Sequence, residues 1–112
     1  MDETQRRKAM NEAVFREINE RIEELHHRFA LGTQAEPLSI VCECDRAGCT
    51  IQFDVPVPVY ERVRASSASF FVHPGHEDPA VEEIVDASSH YLIVRKHPGE
   101  PRQIARQTDP RR

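Results

Sequence analysis

The chain has 112 residues, of which 38% are hydrophobic and none is tryptophan, and it carries a formal net charge of −4. That length supports one small domain with a modest core, and the acidic excess argues against a general polyanion binder. There is no apolar run of about 18 residues, so no membrane-spanning helix is expected. The first residues are polar and charged rather than apolar, so no export signal is read and the expected compartment is the cytoplasm, where thiols stay reduced.

Charge is unevenly spread. Residues 1–30 carry 6 basic and 7 acidic groups, residues 31–97 carry 5 and 10, and residues 98–112 carry 4 and 2. Residues 1–8 are polar and predict a frayed end. From Met10 to Phe29 the apolar residues fall at 10, 14, 15, 18, 22, 25 and 29, which is helical periodicity. Phe15, Ile18, Ile22, Leu25 and Phe29 alternate steps of three and four, the spacing of a coiled-coil seam. Glu12 with Arg16, Glu17 with Arg21, and Glu24 with Arg28 stand in the favourable i,i+4 order, and Gly32 supplies a stop. Residues 1–32 are therefore expected to form a long helix whose seam is a candidate partner-binding face. It can pack on its own domain, pair with the same helix in a homodimer, or dock on a different protein.

Thr33 to Pro37 reads as a linker. Leu38–Val41 is a brief apolar strand, and Thr50–Val55 alternates in polarity as a second strand. The two predict a hairpin with the cysteines at its tip. All three cysteines of the chain, Cys42, Cys44 and Cys49, fall within eight residues as C-x-C-x4-C. Three thiolates suit a soft ion such as zinc when a fourth ligand joins them. His76 is the first choice, because His73-Pro74-Gly75-His76 makes a compact turn, and His73 is the runner-up. Gly48 lies where a turn with positive φ would fold Cys49 back. Three other readings use the same cysteines: a redox-responsive thiol set, inert buried thiols, and an iron–sulfur centre.

Pro56 and Pro58 end the second strand. Val59–Ala65 is expected as a short helix entered through Pro58, with Val59 and Val63 on one face and a strand as the alternative. Ser66, Ser67 and Ser69 mark a solvated loop. Phe70–Val72 reads as a buried strand. Asp78-Pro79 resembles a helix start, which predicts a helix to about Asp86 with Val81, Ile84 and Val85 buried. Tyr91–Val94 is expected as the central strand of the sheet. From Pro98 onward three prolines, a glycine and alternating charges predict a mostly disordered tail over residues 98–112.

An enzymatic reading would make one cysteine a nucleophile, His76 its base, and Glu77 or Asp78 the orienting group. The small domain over residues 38–97 leaves little material for a substrate pocket. His76 does not begin an H-E-x-x-H zinc motif, because position 80 is alanine. Nucleic-acid binding finds only Arg46 in the cysteine loop, beside Glu43 and Asp45, with Arg6-Arg7-Lys8 as its best support.

Several segments taken together carry a resemblance. They are Asn11-Glu12 with Phe15 to Ile22, then Cys42-Glu43-Cys44 with Cys49, then Tyr60-Glu61 with Val63-Arg64. Phe71 with Pro74-Gly75-His76-Glu77, and Tyr91 with Val94 and Lys96, complete the set. Over roughly residues 10–97 the chain resembles a family of small bacterial proteins found mainly in actinobacteria, with a C-E-C…C cluster and a P-G-H-E turn. Val59 departs from that pattern, which usually has an acidic residue before the tyrosine. The resemblance implies that Cys42, Cys44, Cys49 and His76 belong together, and it implies no activity.

The expected fold is α+β: a long N-terminal helix, then a small, mostly antiparallel sheet with two short helices and a zinc knuckle. The expected function is a zinc-binding, protein-interaction or regulatory module. A thiol redox sensor and a nucleic-acid-binding regulator are the alternatives.

Overall fold

A computed structural model of the chain describes residues 2–29 and 36–111. The elements in order are α1 (Glu3–Phe29), β1 (Leu38–Val41), β2 (Gln52–Val55), α2 (Val57–Arg64), β3 (Ser69–Val72), β4 (Glu82–Ala87), β5 (Leu92–Lys96) and α3 (Glu100–Gln107). The expected helix stop at Gly32 and most of the linker from Thr33 lie outside the described residues.

β1 and β2 form an antiparallel hairpin with Leu38 opposite Val55 and Val41 opposite Gln52. The cysteine loop is at its tip, as the alternation of the two strands predicts. The second sheet has the order β3-β5-β4, all antiparallel. β5 is its central strand, as expected for a continuous apolar run. The side of β3 away from β5 is joined by Glu43, whose N–H donates to the Phe71 carbonyl at 2.7 Å. Leu38, Ile40, Val55, Tyr60, Phe71, Val72 and Val94 are at the bottom of the shared core, where Tyr60 and Phe71 stack with ring centres 5.7 Å apart.

Three expectations are corrected. The segment after Asp78-Pro79 makes one turn, with the Ala80 N–H on the Asp78 carboxylate, and then becomes edge strand β4 rather than a helix. Ile84 and Val85 are exposed, not a buried face. A helix of about eight residues has few internal bonds to gain, whereas β5 pairs with this segment from Glu82 opposite Lys96 to Ala87 opposite Leu92, with one register shift between Ile84 and Asp86. In α2 the inward side chains are Val57, Tyr60, Val63 and Arg64, so Tyr60 rather than Val59 leads the buried face.

The third correction is the tail. Residues 100–107 form α3, with Pro101 in the first turn where its missing N–H costs nothing. Buried Arg16 holds the far end of α3 by donating to the Ala105 carbonyl at 2.6 Å and the Thr108 hydroxyl at 3.2 Å. Beyond it, Arg111 donates to the carboxylates of Glu20 at 2.6 Å and Glu61 at 2.8 Å. Charges that read as solvated in sequence are therefore the anchors of this segment.

α1 begins at Glu3, so the polar residues expected to fray are largely helical. Its inward face is Glu12, Ala13, Arg16, Asn19 and Glu20. Of the predicted seam, Ile22 packs against the core, Phe15 is half-buried, and Ile18, Leu25 and Phe29 are exposed. Among the described residues no helix is long and apolar enough to cross a membrane.

Candidate metal centre

The hairpin continues one step past β1 and β2 with the Cys42 N–H on the Ile51 carbonyl at 2.9 Å. From there the chain turns at Arg46–Cys49, where the Cys49 N–H donates to the Arg46 carbonyl at 3.0 Å. Gly48 does not adopt the left-handed region, so this turn does not use glycine's freedom; among the described residues the positive-φ glycines are Gly75 and Gly99. Gly75 is where that freedom matters. Pro74 and Gly75, the latter at φ 94°, are the central pair of a turn closed by the His76 N–H on the His73 carbonyl at 2.9 Å, the Pro-Gly signature of a type II turn. This turn swings the His76 ring over the cysteine loop.

Cys42, Cys44, Cys49 and His76 place their ligand atoms within 4.8 Å of one another and can together hold a metal ion. His76 Nδ1 lies 3.7 Å from Cys42 Sγ and 3.6 Å from Cys49 Sγ. A tetrahedral ion with arms of about 2.3 Å to sulfur and about 2.0 Å to nitrogen has a sulfur–nitrogen edge of about 3.5 Å. The runner-up, His73, contributes differently: its backbone N–H donates to Cys42 Sγ at 3.1 Å, while its ring stands edge-on to His76 at 5.2 Å.

Ionisation is concentrated on one thiol of the set. A hydrogen bond from Cys42, against the opposing effect of burial, brings the Cys44 thiol down to about 5. The same bond, with burial, pushes Cys42 up. One thiolate is thus cheap at neutral pH, and a bound cation is what would ionise the remainder. Arg46 reaches over the top, with one guanidinium nitrogen 3.2 Å from His76 Nε2 and the other donating to the Gly75 carbonyl at 3.4 Å. Three thiolates around a divalent ion leave one negative charge, which Arg46 is placed to offset. Glu77 and Asp78, considered above as orienting groups for a catalytic histidine, instead accept from the Gly75 and Ala80 N–H groups.

Sequence reasoning missed Glu43. It lies between two cysteines and is fully buried. Its carboxylate accepts from the Phe71 N–H at 3.0 Å, from Asn19 Nδ2 at 2.7 Å and from the Arg64 guanidinium. Asn19 also bonds both the carbonyl and the N–H of Val41 at 2.8 Å each, mimicking a neighbouring strand. The Arg64 guanidinium lies 4.9 Å from the Tyr60 ring centre and 5.7 Å from that of Phe71. The middle residue of the cysteine loop therefore ties β3, α1 and α2 to the candidate site. A second buried cluster holds the other end of α1, where Lys96 Nζ lies 2.7 Å from Glu12 and 2.6 Å from Glu82. The available signal was the spacing of Glu12, Arg16, Asn19 and Glu20, which follows the same helical period as an apolar face.

Comparison of the chain with protein-family models, with curated proteins and with solved structures returns no match.

Proposed function

We propose that the protein is a zinc-stapled protein-interaction module, in which the ion is structural and no substrate is transformed. The reading is carried by one observation: three sulfurs on the hairpin tip and an imidazole nitrogen from the His73–His76 turn converge within 4.8 Å of one another, with two sulfur–nitrogen edges of 3.7 and 3.6 Å. The sulfur-rich set favours zinc among divalent ions available to a reduced thiol site. A domain this small gains from such a staple. The ion would fix the loop that holds Glu43, and Glu43 would in turn fix α1, the element offered to a partner.

The test is removal of the ion by a strong chelator, followed by thermal unfolding with and without added zinc. Binding energy of a structural zinc is folding energy, about 10–16 kcal/mol in small zinc domains, comparable with the whole stability of a domain this size. The stripped protein is expected to lose cooperative unfolding and to regain it on adding one equivalent of zinc. A cooperative transition at the same temperature without metal would refute the structural role.

A second reading, a thiol redox sensor, is favoured by the partial exposure of Cys49 beside the buried Cys42 and Cys44. Two cysteine thiolates would give two electrons to a hydroperoxide, forming one disulfide, with two protons completing water and the reduced peroxide product. The ion would leave with its ligands. Release of zinc by stoichiometric hydrogen peroxide, reversed by a thiol reductant, separates this reading from a purely structural site.

A further inference from the structure

α1 is amphipathic in the opposite sense to a helix that packs on its own domain. Its inward face is dominated by Glu12, Arg16, Asn19 and Glu20, each held by an ion pair or hydrogen bond to the domain. Its outward face exposes Met10 (52%), Val14 (54%), Ile18 (41%), Leu25 (52%) and Phe29 (71%). At about 100° per residue these five fall in a strip about 100° wide. From Met10 to Phe29 that strip runs about 28 Å. Isolated exposed apolar residues need no explanation, but a continuous stripe of this length marks an interaction surface.

We propose that the stripe is covered by the same stripe of a second copy of this chain, the two α1 helices running antiparallel across a two-fold axis at Ile18. The proposal rests on the interaction-module reading above and names its partner. Arg7, Asn11, Val14, Ile18, Ile22, Leu25 and Phe29 are separated by steps of 4, 3, 4, 4, 3 and 4. That order reads the same in both directions from Ile18. A two-fold axis there places Ile18 on its own counterpart, Val14 on Ile22, Asn11 on Leu25, and Arg7 on Phe29. Apolar side chains meet at Ile18 and between Val14 and the part of Ile22 that its own core leaves uncovered; half-buried Asn11, 3.5 Å from the Asp45 carbonyl, borders Leu25, and the Arg7 guanidinium is set against an aromatic face.

Charge selects the orientation. On one flank Arg21 bonds Glu17 at 2.8 Å and Glu24 at 3.0 Å within the helix. In the antiparallel pair Arg21 of each copy comes beside Glu17 of the other, whereas a parallel pair sets Arg7 against Arg7. The seam repeats every 11 residues, at about 3.67 per turn close to the period of the helix itself, so two nearly straight helices keep the contact along the whole stripe. The domain lies on the opposite side of each helix, so the two bodies stay apart. Five half-exposed side chains on each of two copies supply on the order of 1,000 Å², the lower bound for a specific interface. The pair is accordingly a reversible dimer.

The experiment is sedimentation equilibrium of the zinc-loaded full chain from about 1 to 500 µM, with bound zinc and circular dichroism measured on the same samples. The expected result is a monomer–dimer equilibrium that Ile18→Glu weakens at least about 100-fold with zinc content and spectrum unchanged. Arg7→Ala should weaken it several-fold, because a contact with Phe29 is lost. A single-chain mass throughout the range, or a dimer indifferent to Ile18→Glu, overturns the second copy as occupant while leaving the metal reading intact. Tighter association of Arg7→Ala overturns the antiparallel arrangement. A chain that dimerises as described yet binds no zinc leaves this proposal standing and removes the metal reading.

Discussion

Replacing Glu43 by glutamine removes one charge and almost no volume from the centre of the molecule. The carboxylate is fully buried and accepts from Arg64, Asn19 and the Phe71 N–H. The amide oxygen can keep either the Phe71 N–H or the Asn19 and Arg64 donors, which share one carboxylate oxygen, and its NH₂ then faces donors that it cannot serve. Arg64 is left as a buried cation whose next carboxylate, Glu20, is 3.9 Å away. Breaking a buried pair by removing one partner costs about 3–5 kcal/mol, whereas neutralising both partners is often tolerated. A chain of 112 residues has on the order of 6–17 kcal/mol of total stability, so Glu43→Gln should consume a large share of it. Urea unfolding of the zinc-loaded protein is the assay, with the slope checked for constancy. Glu43→Gln is expected to lose about 3–5 kcal/mol, and Glu43→Gln with Arg64→Met to lose at least about 2 kcal/mol less than the sum of the single changes. A single-variant cost below about 1 kcal/mol would show that the buried charge does not tie the cysteine loop to the rest of the fold.

Cys49→Ala is expected to lose stoichiometric zinc and cooperative unfolding together, measured by metal analysis and thermal denaturation. His76→Ala should weaken zinc binding at least about 100-fold, while His73→Ala should retain it, since His73 supplies a backbone N–H; equal losses would contradict the assignment. Arg16→Met leaves the Ser67 and Ala105 carbonyls without their donor, so a loss of about 2–4 kcal/mol is expected. Hydrogen exchange should then show α3 opening first. Burial pushes the Glu12 carboxyl up from 4.5 to about 7 against the pull of Lys96. The folded state therefore holds a proton that the unfolded state has released, and the stability from this group is present below about 4.5 and lost as pH rises through about 7. Each pH unit in that window is worth about 1.4 kcal/mol. Glu12→Gln should gain stability relative to the parent between pH 5 and 7 by urea unfolding; a pH-independent difference would contradict the shift.

What was legible in the sequence was local. The hairpin followed from the polarity of Leu38–Val41 and Thr50–Val55, and the meeting of Cys42, Cys44 and Cys49 with His76 followed from thiol crowding and a Pro-Gly turn. β5 was legible as a continuous apolar run. The errors arose where distant partners decide. Asp78-Pro79 starts a turn as its chemistry dictates, but pairing with β5 then draws the next residues into a strand. The tail was judged by prolines and charge, and its order comes from Arg16 and Arg111, donors and acceptors far apart in sequence. The α1 periodicity correctly gave a helix and said nothing of which face turns inward. Glu12, Arg16, Asn19 and Glu20 are buried because Lys96, the Ala105 carbonyl, Glu43 and Tyr60 wait opposite them; their helical spacing marks one face, and nothing within α1 says that this face turns inward.

X-ray absorption at the zinc edge, on protein purified without an affinity tag and quantified for metal per chain, addresses the four-ligand site directly. One zinc per chain is expected, with three sulfurs at about 2.3 Å and one nitrogen at about 2.0 Å. A shell of nitrogen and oxygen alone, or metal-free folded protein whose three thiols all react freely with a thiol reagent, would contradict it.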